Sequence, residues 1–181
     1  MTIRAIRTYG DPILKLKSSE VADINGSVAH LIEDMKDTLR NSETGIGLAA
    51  NQIGADKRIF IWDLEGEDDF EVLINPEIVE SQGEWEYEEG CLSVPGLHWT
   101  IVRPKLVHVK GFDLDGNEVS YEADDLFGRL IQHELDHLDG KLLIEHLDKD
   151  QLKQAKSTLR AMAMGELIKE EESAAKPSRG L

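Results

Sequence analysis

Residues 132–137 are Gln132-His133-Glu134-Leu135-Asp136-His137, a stretch with two histidines and an acidic residue after the first of them. The surrounding residues 124–138 have apolar side chains on more than one helical face, which predicts a helix packed inside a core. On such a helix His133 and His137 lie four residues apart and point the same way. The pattern His-Glu-x-x-His therefore predicts that one metal ion is held by the two imidazoles.

Glu134 follows the first histidine, so it would lie beside the ion and not on it. There it can take a proton from water whose pKa the ion lowers to about 7, and pass that proton to a leaving group. The alternative for this motif alone is a helix whose two histidines only cap it or pair with acidic side chains.

The third ligand distinguishes the classes of metallohydrolase. In the protease pattern His-Glu-x-x-His-x-x-Gly-x-x-His, this chain has Gly140 at the required place but Leu143 where the third histidine should be. A protease with a distant downstream glutamate stays open, because Glu145, Glu166 and the cluster that begins at Glu170 all follow the motif.

The chain's single cysteine is the other candidate ligand, and it lies in Glu89-Gly90-Cys91-Leu92-Ser93-Val94-Pro95. A lone cysteine is more often a small core residue. Here Cys91 lies between a glycine and a turn-prone segment, where its thiolate could meet the two histidines. A Cys/His/His set leaves one position of a tetrahedral ion open for water, which is typical of a catalytic site.

Outward from the motif, the periodicity predicts an amphipathic helix over 27–40 and another over about 148–169. Apolar runs at 58–64, 72–79 and 106–114 predict strands, and Asp115-Gly116 predicts a hairpin from the last run to residues 118–123. The expected fold class is α+β, with mixed or antiparallel β-sheets packed around the central motif helix and an amphipathic C-terminal helix. We expect one catalytic metallohydrolase domain over 1–169 and a disordered acidic tail over 170–181.

Composition restricts the partners and the compartment. The 181 residues include 20 basic and 36 acidic side chains, a formal charge of −16 that disfavours direct DNA binding. No apolar run approaches the roughly 20 residues that span a bilayer, so no membrane partner is expected. The N-terminus lacks the apolar stretch of a signal peptide, and one cysteine suits a reducing compartment, which together predict a cytoplasmic protein.

Three segments together resemble the signature motifs of the peptide deformylase family, in the family's order. They are Gly45-Ile46-Gly47-Leu48-Ala49-Ala50-Asn51-Gln52, Glu89-Gly90-Cys91-Leu92-Ser93 and Gln132-His133-Glu134-Leu135-Asp136-His137. The resemblance extends from Gly10 to about His146. It implies a hydrolase that removes the formyl group from the formylmethionine of newly synthesised polypeptides and releases formate.

The resemblance also implies roles for individual residues. Cys91, His133 and His137 would hold one divalent metal ion. The family resemblance favours Fe(II), although the donor set also accepts Zn(II), Ni(II) or Co(II). Metal-bound water would attack the formyl carbonyl with Glu134 as general base and then acid. The Gln52 side-chain amide and the backbone N–H of Leu92 would stabilise the oxyanion.

Substrate contacts are expected at Ile46, Gly47, Gly90, Leu126 and Leu130. The segment around Gly47 could pair with the peptide backbone, and the three apolar residues could form the methionine pocket, although core packing explains the two leucines equally well. Two departures from the family pattern stand out. Many members have proline where this chain has Asn51, which predicts a less rigid loop. Some carry an arginine after the cysteine motif where this chain has Gly96-Leu97-His98-Trp99, so substrate contacts there are left open.

A basic stripe is expected on the last helix, because Lys149, Lys153, Lys156 and Arg160 recur at helical spacing. Such a stripe is usually a solvated face. The resemblance adds a second interpretation, in which the C-terminal helix docks on the ribosome. Two other functions stay open at this point: a peptidase with the same His-Glu-x-x-His chemistry, and a metal-binding relative that has lost activity and serves as an interaction protein.

Overall fold

The computed structural model describes residues 2–164. The predicted tail at 170–181, the end of the predicted last helix at 165–169 and the candidate ligand Glu166 lie outside this range. The helices are α1 (Gly26–Arg40), α2 (Asp125–Leu138) and α3 (Lys149–Ala163); the strands are β1 (Gly47–Ala49), β2 (Ile59–Trp62), β3 (Glu71–Gln82), β4 (Trp85–Cys91), β5 (Val94–Arg103), β6 (Leu106–Phe112) and β7 (Glu118–Asp124). Short 3-10 helices occupy Pro12–Lys15, Ala50–Ile53 and Leu143–His146.

Within residues 2–164 the strands form two sheets. Five strands are ordered β1-β2-β3-β6-β7, and β4 pairs with β5 in a separate hairpin. Each pairing is antiparallel. The expected α+β class, with antiparallel sheets, a helix that carries the motif and a C-terminal helix, is therefore confirmed.

Helix α2 packs against one face of the large sheet, and α1 packs against the other. Strand β2 shows why, because successive strand residues point to opposite faces. Phe60 and Trp62 belong to the apolar cluster beneath α2, whereas Ile59 and Ile61 belong to the cluster beneath α1. Both faces of β2 are thus covered, and all four of its residues are buried.

The predicted burial of the motif helix is confirmed. From Gly128 to Leu138 every residue of α2 is buried except Asp136, which is partly buried. Leu130, Ile131 and Leu138 are fully enclosed by the first cluster, and burial of each such side chain contributes about 1.5–3 kcal/mol. The polar motif residues are consequently held in a rigid, water-poor interior.

Helix α3 begins at a capping box. The Asp148 side chain accepts hydrogen bonds from the backbone N–H groups of Asp150 and Gln151, which satisfies the first turn. On its inner face Ala155 and Leu159 pack into a third apolar cluster beside the β4–β5 hairpin. None of the helices in residues 2–164 has both the length and the apolar composition needed to cross a membrane.

The β4–β5 hairpin was not predicted from the apolar runs. Its first strand alternates aromatic and acidic residues from Trp85 to Glu88, and the acidic face is exposed, so no continuous apolar run marks it. The period-two alternation was the available signal. The omission matters for function, because β4 ends at Cys91 and the turn of the hairpin determines where the thiol lies.

Candidate metal centre and active site

The structure brings the three candidate ligands together. One ligand atom from each of Cys91, His133 and His137 lies within 4.8 Å of the other two, and all three residues are buried. The Sγ of Cys91 is 3.1 Å from Nε2 of His137. A thiolate with two imidazoles is a donor set for a divalent transition metal, and three protein ligands leave a position open.

Two elements create this cluster. Helix α2 presents His133 and His137 on the same face, with ring centroids 5.1 Å apart. The thiol comes from the end of β4, where Cys91 pairs with Val94 across a two-residue turn. The turn-prone segment predicted after the cysteine is thus the connection between β4 and β5.

A buried carboxylate orients His133. Glu89 accepts a hydrogen bond from Nδ1 of His133 at 3.0 Å, which leaves Nε2 to face the cluster. The same carboxylate accepts from Nε and Nη2 of Arg103, at 2.7 and 3.0 Å, and from Nη1 of Arg129. Glu89 is only 1% exposed, so its charge needs partners within the protein, and the two arginines provide them. The bond to this fixed carboxylate holds the imidazole in one orientation.

The charge state of the thiol suits metal binding. Burial alone raises the pKa of the Cys91 thiol, but the imidazoles of His137 and His133 outweigh burial and hold that pKa well below its usual range. Metal ligands bind in their deprotonated form, so a thiol that ionises readily is prepared for this role. The residues present therefore fit a divalent metal ion.

Glu134 lies beside the cluster in a different environment. It is 1% exposed, and within residues 2–164 no hydrogen-bond partner reaches its Oε2 atom. Burial raises the pKa of Glu134 to about 7, although His133 and His137 act in the opposite direction. A carboxylate with a pKa near neutrality can both accept and return a proton under physiological conditions.

Gly47 explains how this carboxylate fits. A Cβ atom at position 47 would lie 2.6 Å from Oε1 of Glu134, closer than side-chain carbons approach other atoms. Strand β1 therefore runs directly against the carboxylate, and a side chain at position 47 would require Glu134 to shift. Gly47 was predicted as a substrate contact, and the structure places it against Glu134.

The segment around Gln52 is held against the cysteine turn. Oε1 of Gln52 accepts a hydrogen bond from the backbone N–H of Ala49 at 2.8 Å, and Nε2 donates to Oγ of Ser93 at 3.1 Å. These two bonds define which end of the amide is the donor. Leu92 precedes Ser93 in the turn, so the two predicted oxyanion donors come from adjoining segments.

The remaining substrate candidates lie in two places. Ile46 and Leu130 are buried in the cluster beneath α2, and Leu126 packs against that cluster partly buried, so the structure brings the three together. Gly90 is buried next to Cys91 and pairs with His98. A Cβ at position 90 would lie 2.7 Å from the His98 imidazole, which places this exposed ring over the backbone beside the cluster.

The downstream ligand alternatives receive no support from the described residues. Glu145 forms an ion pair with Lys15, and Leu143 is buried in the third apolar cluster. The metal cluster found in residues 2–164 consists of Cys91, His133 and His137.

Several supporting residues were missed by sequence reasoning. Glu89 lies within a quoted motif but received no role there, and Arg103, Arg129 and Ser93 received none either. A buried charge needs a partner, so charged residues in buried strand and helix positions were a weak signal. Their partners are up to 44 residues away in the chain, which local spacing does not reveal.

Comparisons with known proteins agree with this geometry. The family model described as polypeptide deformylase matches residues 3–153. The peptide deformylase of Thermodesulfovibrio yellowstonii is 46% identical over 126 residues, which make up 68% of this chain and 76% of that protein. That of Finegoldia magna is 47% identical over 118 residues, covering 65% of this chain and 72% of that protein.

Solved structures lead to the same family. A crystal structure of a peptide deformylase from Legionella pneumophila is 38% identical, with a TM-score of 0.86 over 91% of this chain and 98% of that chain. The peptide deformylase of Ehrlichia chaffeensis in complex with actinonin is 36% identical, with a TM-score of 0.82 over 90% of this chain and 98% of that chain. This chain therefore belongs to the polypeptide deformylase family and is a metal-dependent hydrolase.

Proposed function

We propose that this chain removes the formyl group from the N-terminal formylmethionine of newly synthesised polypeptides and releases formate. The observation that carries the proposal is the convergence of three separate motifs on one buried point. Residues from β1 and its following turn, from the β4–β5 turn and from α2 meet there. Such an arrangement supplies an ion, a proton carrier and hydrogen-bond donors around one position for a carbonyl.

Cys91, His133 and His137 would hold the metal ion, and Glu89 would keep His133 in orientation. When bound, the ion would supply Lewis-acid chemistry and make water acidic enough to be deprotonated near neutral pH. Glu134 would accept that proton as general base. The same carboxyl group would then protonate the departing amine of methionine.

The oxyanion would be stabilised by Gln52 and by the backbone N–H of Leu92. The amide of Gln52 has two N–H groups, and one of them donates to Ser93. The second would donate to the formyl oxygen. Donors held in place before the reaction stabilise developing charge without reorganisation, and this is the physical advantage of the bonds to Ala49 and Ser93.

The peptide backbone would align with β1. This strand is the end strand of the five-stranded order, and a peptide that adds to a sheet edge is bound mainly through its main chain. Many sequences could then be accepted after the first residue. Ile46, Leu126 and Leu130 would contact the methionine side chain, with Gly47 and Gly90 leaving room for the backbone.

We propose Fe(II) as the native ion, on the basis of the family resemblance. Thiolate and imidazole ligands also accept Zn(II), Ni(II) and Co(II), so ligand chemistry does not choose among them. Elemental analysis of protein purified anaerobically from its own cells should find iron at about one ion per chain. Zinc or nickel at that stoichiometry, with iron absent, would contradict the choice.

Formate release from a formyl-Met-Ala peptide by anaerobically prepared, Fe(II)-loaded protein tests the function. An unformylated longer peptide serves as the cleavage control. Formate without cleavage of the control is the expected result. Internal cleavage of the control would indicate a peptidase, and absence of formate from protein with bound metal would indicate a relative that has lost activity.

We expect Gln52→Ala to lower kcat about 10²-fold, because one oxyanion donor is typically worth that much. Metal content should be unchanged, since the cluster atoms come from other residues. Steady-state kinetics with elemental analysis of the same preparation measures both. A kcat within about twofold of the parent would remove Gln52 from the mechanism.

We expect Gly47→Ala to lower kcat by about 10- to 100-fold while the metal is retained. The new methyl group would overlap Oε1 of Glu134, and the side chain would move aside at the cost of its alignment. Gly26→Ala is a suitable comparison, because a Cβ atom on that glycine, at the start of α1, would meet no other atom within 4 Å. Equal activity of Gly47→Ala and the parent would contradict the proposed position of the base.

We also propose that the protein acts in the cytoplasm and docks on the ribosome through α3. Lys149, Lys153, Lys156 and Arg160 line one side of α3 together in a shallow groove with Leu152 and Met164. All four basic residues are exposed. In a protein with a formal charge of −16, this basic surface is the part that an RNA backbone would favour.

Charge reversal tests the docking. Lys153→Glu with Arg160→Glu should reduce co-sedimentation with ribosomes at low salt, while formate release from a short peptide is unchanged. Lys17→Glu with Lys57→Glu makes the same change in net charge at exposed sites elsewhere and should leave co-sedimentation intact. Equal co-sedimentation of both double variants with the parent would dismiss the docking role.

A further inference from the structure

Asn51 joins two of the functional segments. It lies in the 3-10 helix Ala50–Ile53, directly before Gln52, and is 1% exposed. Its Nδ2 atom donates a hydrogen bond of 2.5 Å to the backbone carbonyl of His137, 86 residues away in the chain. The loop that was predicted to be less rigid because it lacks proline is thus attached to the metal helix through a side chain.

The accepting carbonyl belongs to the backbone of a candidate metal ligand at the end of α2. His137 is in the last turn of α2, where carbonyl groups have no partner further along the helix. The backbone N–H of Gly140 donates to this carbonyl at 3.0 Å, and the Asn51 amide provides a second donor. The bond therefore connects the backbone of a candidate metal ligand to the segment that carries Gln52.

The rest of the Gln52 segment is held by other elements. Its side chain bonds to Ala49 and Ser93, and its backbone carbonyl accepts from the N–H of Arg7 at 2.7 Å. These contacts orient Gln52 relative to β1, the cysteine turn and the N-terminal segment. The Asn51 bond adds a direct polar link to α2, which also carries Glu134 and the two histidines.

We propose that Asn51 is a positioning residue that holds the Gln52 amide at its working distance from the metal ligands of α2. This inference rests on the proposed function, in which Gln52 stabilises the oxyanion. Within residues 2–164, Oδ1 of Asn51 has no hydrogen-bond partner, so its donor end is the part of the amide that the site uses. Side chains of similar size that lack a donor should therefore lose the link while still filling the space.

A double-mutant cycle separates positioning from general stability. Asn51→Ala and Asn51→Leu should each lower kcat about tenfold, with KM changed less than about twofold, because the substrate still binds but the donor is displaced. In the Gln52→Ala background the same changes should have no further effect on kcat. An equal fall in that background, or no fall in the parent, would overturn the proposal.

Hydrogen exchange provides a readout that does not depend on activity. The backbone N–H groups of Gly54 and Ala55 bond to the carbonyls of Asn51 and Ala50. In Asn51→Leu these amides should exchange at least about tenfold faster, whereas amides of α1 should not change. Unchanged exchange at Gly54 and Ala55 would overturn the link. Faster exchange in a protein that releases no formate would support the link while the proposed function fails.

Thr38→Val is the matched control. Thr38 is 2% exposed, and its hydroxyl donates to the carbonyl of Asp34 at 2.7 Å and accepts from the N–H of Arg4 at 2.9 Å. Thr38→Val therefore also removes buried hydrogen bonds between a side chain and the backbone, but it does so on α1. It should be destabilised without a change in kcat or in exchange at Gly54 and Ala55. Changes equal to those of Asn51→Leu would show that loss of stability alone explains the effect.

Discussion

Glu134→Ala is expected to lower kcat about 10⁴-fold while the metal stays bound. General acid–base groups typically contribute 10²- to 10⁴-fold, and we expect the upper end because the same carboxyl group takes the proton and returns it. The side chain is enclosed beside the cluster, and His133 and His137 keep their own contacts without it. Kinetics and metal analysis of one preparation measure the two effects.

Glu134→Gln should behave like the alanine variant, because it keeps the shape but cannot accept the proton. Glu122→Gln is the control, since this exposed glutamate on β7 bonds only to His108 among the contacts described for it. A Glu134→Ala protein that retains metal and full activity would show that the proton is carried by another group.

Cys91→Ala is expected to abolish activity through loss of the metal. Structural zinc sites with four ligands have apparent binding free energies of about 10–16 kcal/mol, or roughly 2.5–4 kcal/mol for each ligand. Removal of the thiolate should therefore weaken binding on the order of 10²- to 10³-fold, since two imidazoles remain. Competition with a chromophoric chelator gives the affinity, and Co(II)-loaded protein should lose its thiolate-to-metal absorption.

Val94→Ala is the matched control for the cysteine. Val94 is fully buried, pairs with Cys91 across the turn and belongs to the same apolar cluster, but it offers no ligand atom. It should lower thermal stability and leave metal affinity within about twofold. If Cys91→Ala bound metal as tightly as Val94→Ala, the thiol would not be a ligand, and a different third ligand would have to be sought.

The structural framework was largely predictable because it depends on local periodicity. The helices over 27–40 and 124–138, the strands β2, β3 and β6 and the hairpin from β6 to β7 follow from the spacing of apolar residues and from Asp115-Gly116. The hairpin of β4 and β5 was missed, because its exposed acidic face interrupts the apolar pattern. Elements with one solvent-exposed face and few aliphatic residues are the ones that a search for apolar runs overlooks.

The candidate site was also predictable where it depends on residues that are close in the chain. Motif spacing on a helix was enough to select His133, Glu134 and His137, since four residues make about one turn and place both imidazoles on one face. The motif context of Cys91 was enough to select it as the third candidate ligand, and the structure places it within 4.8 Å of the two histidines. Each of these inferences uses residues that are neighbours in the chain or belong to one compact pattern.

Contacts between distant segments came only from the folded arrangement. The convergence of Arg103, Arg129 and His133 on Glu89, the approach of Gly47 to Glu134 and the bond from Asn51 to His137 join residues from different strands, helices and turns. Chain spacing does not determine which distant polar groups meet, because that depends on how sheets and helices pack. The composition and motifs of this protein therefore indicate its chemistry, whereas packing determines which side chains hold the reacting groups in place.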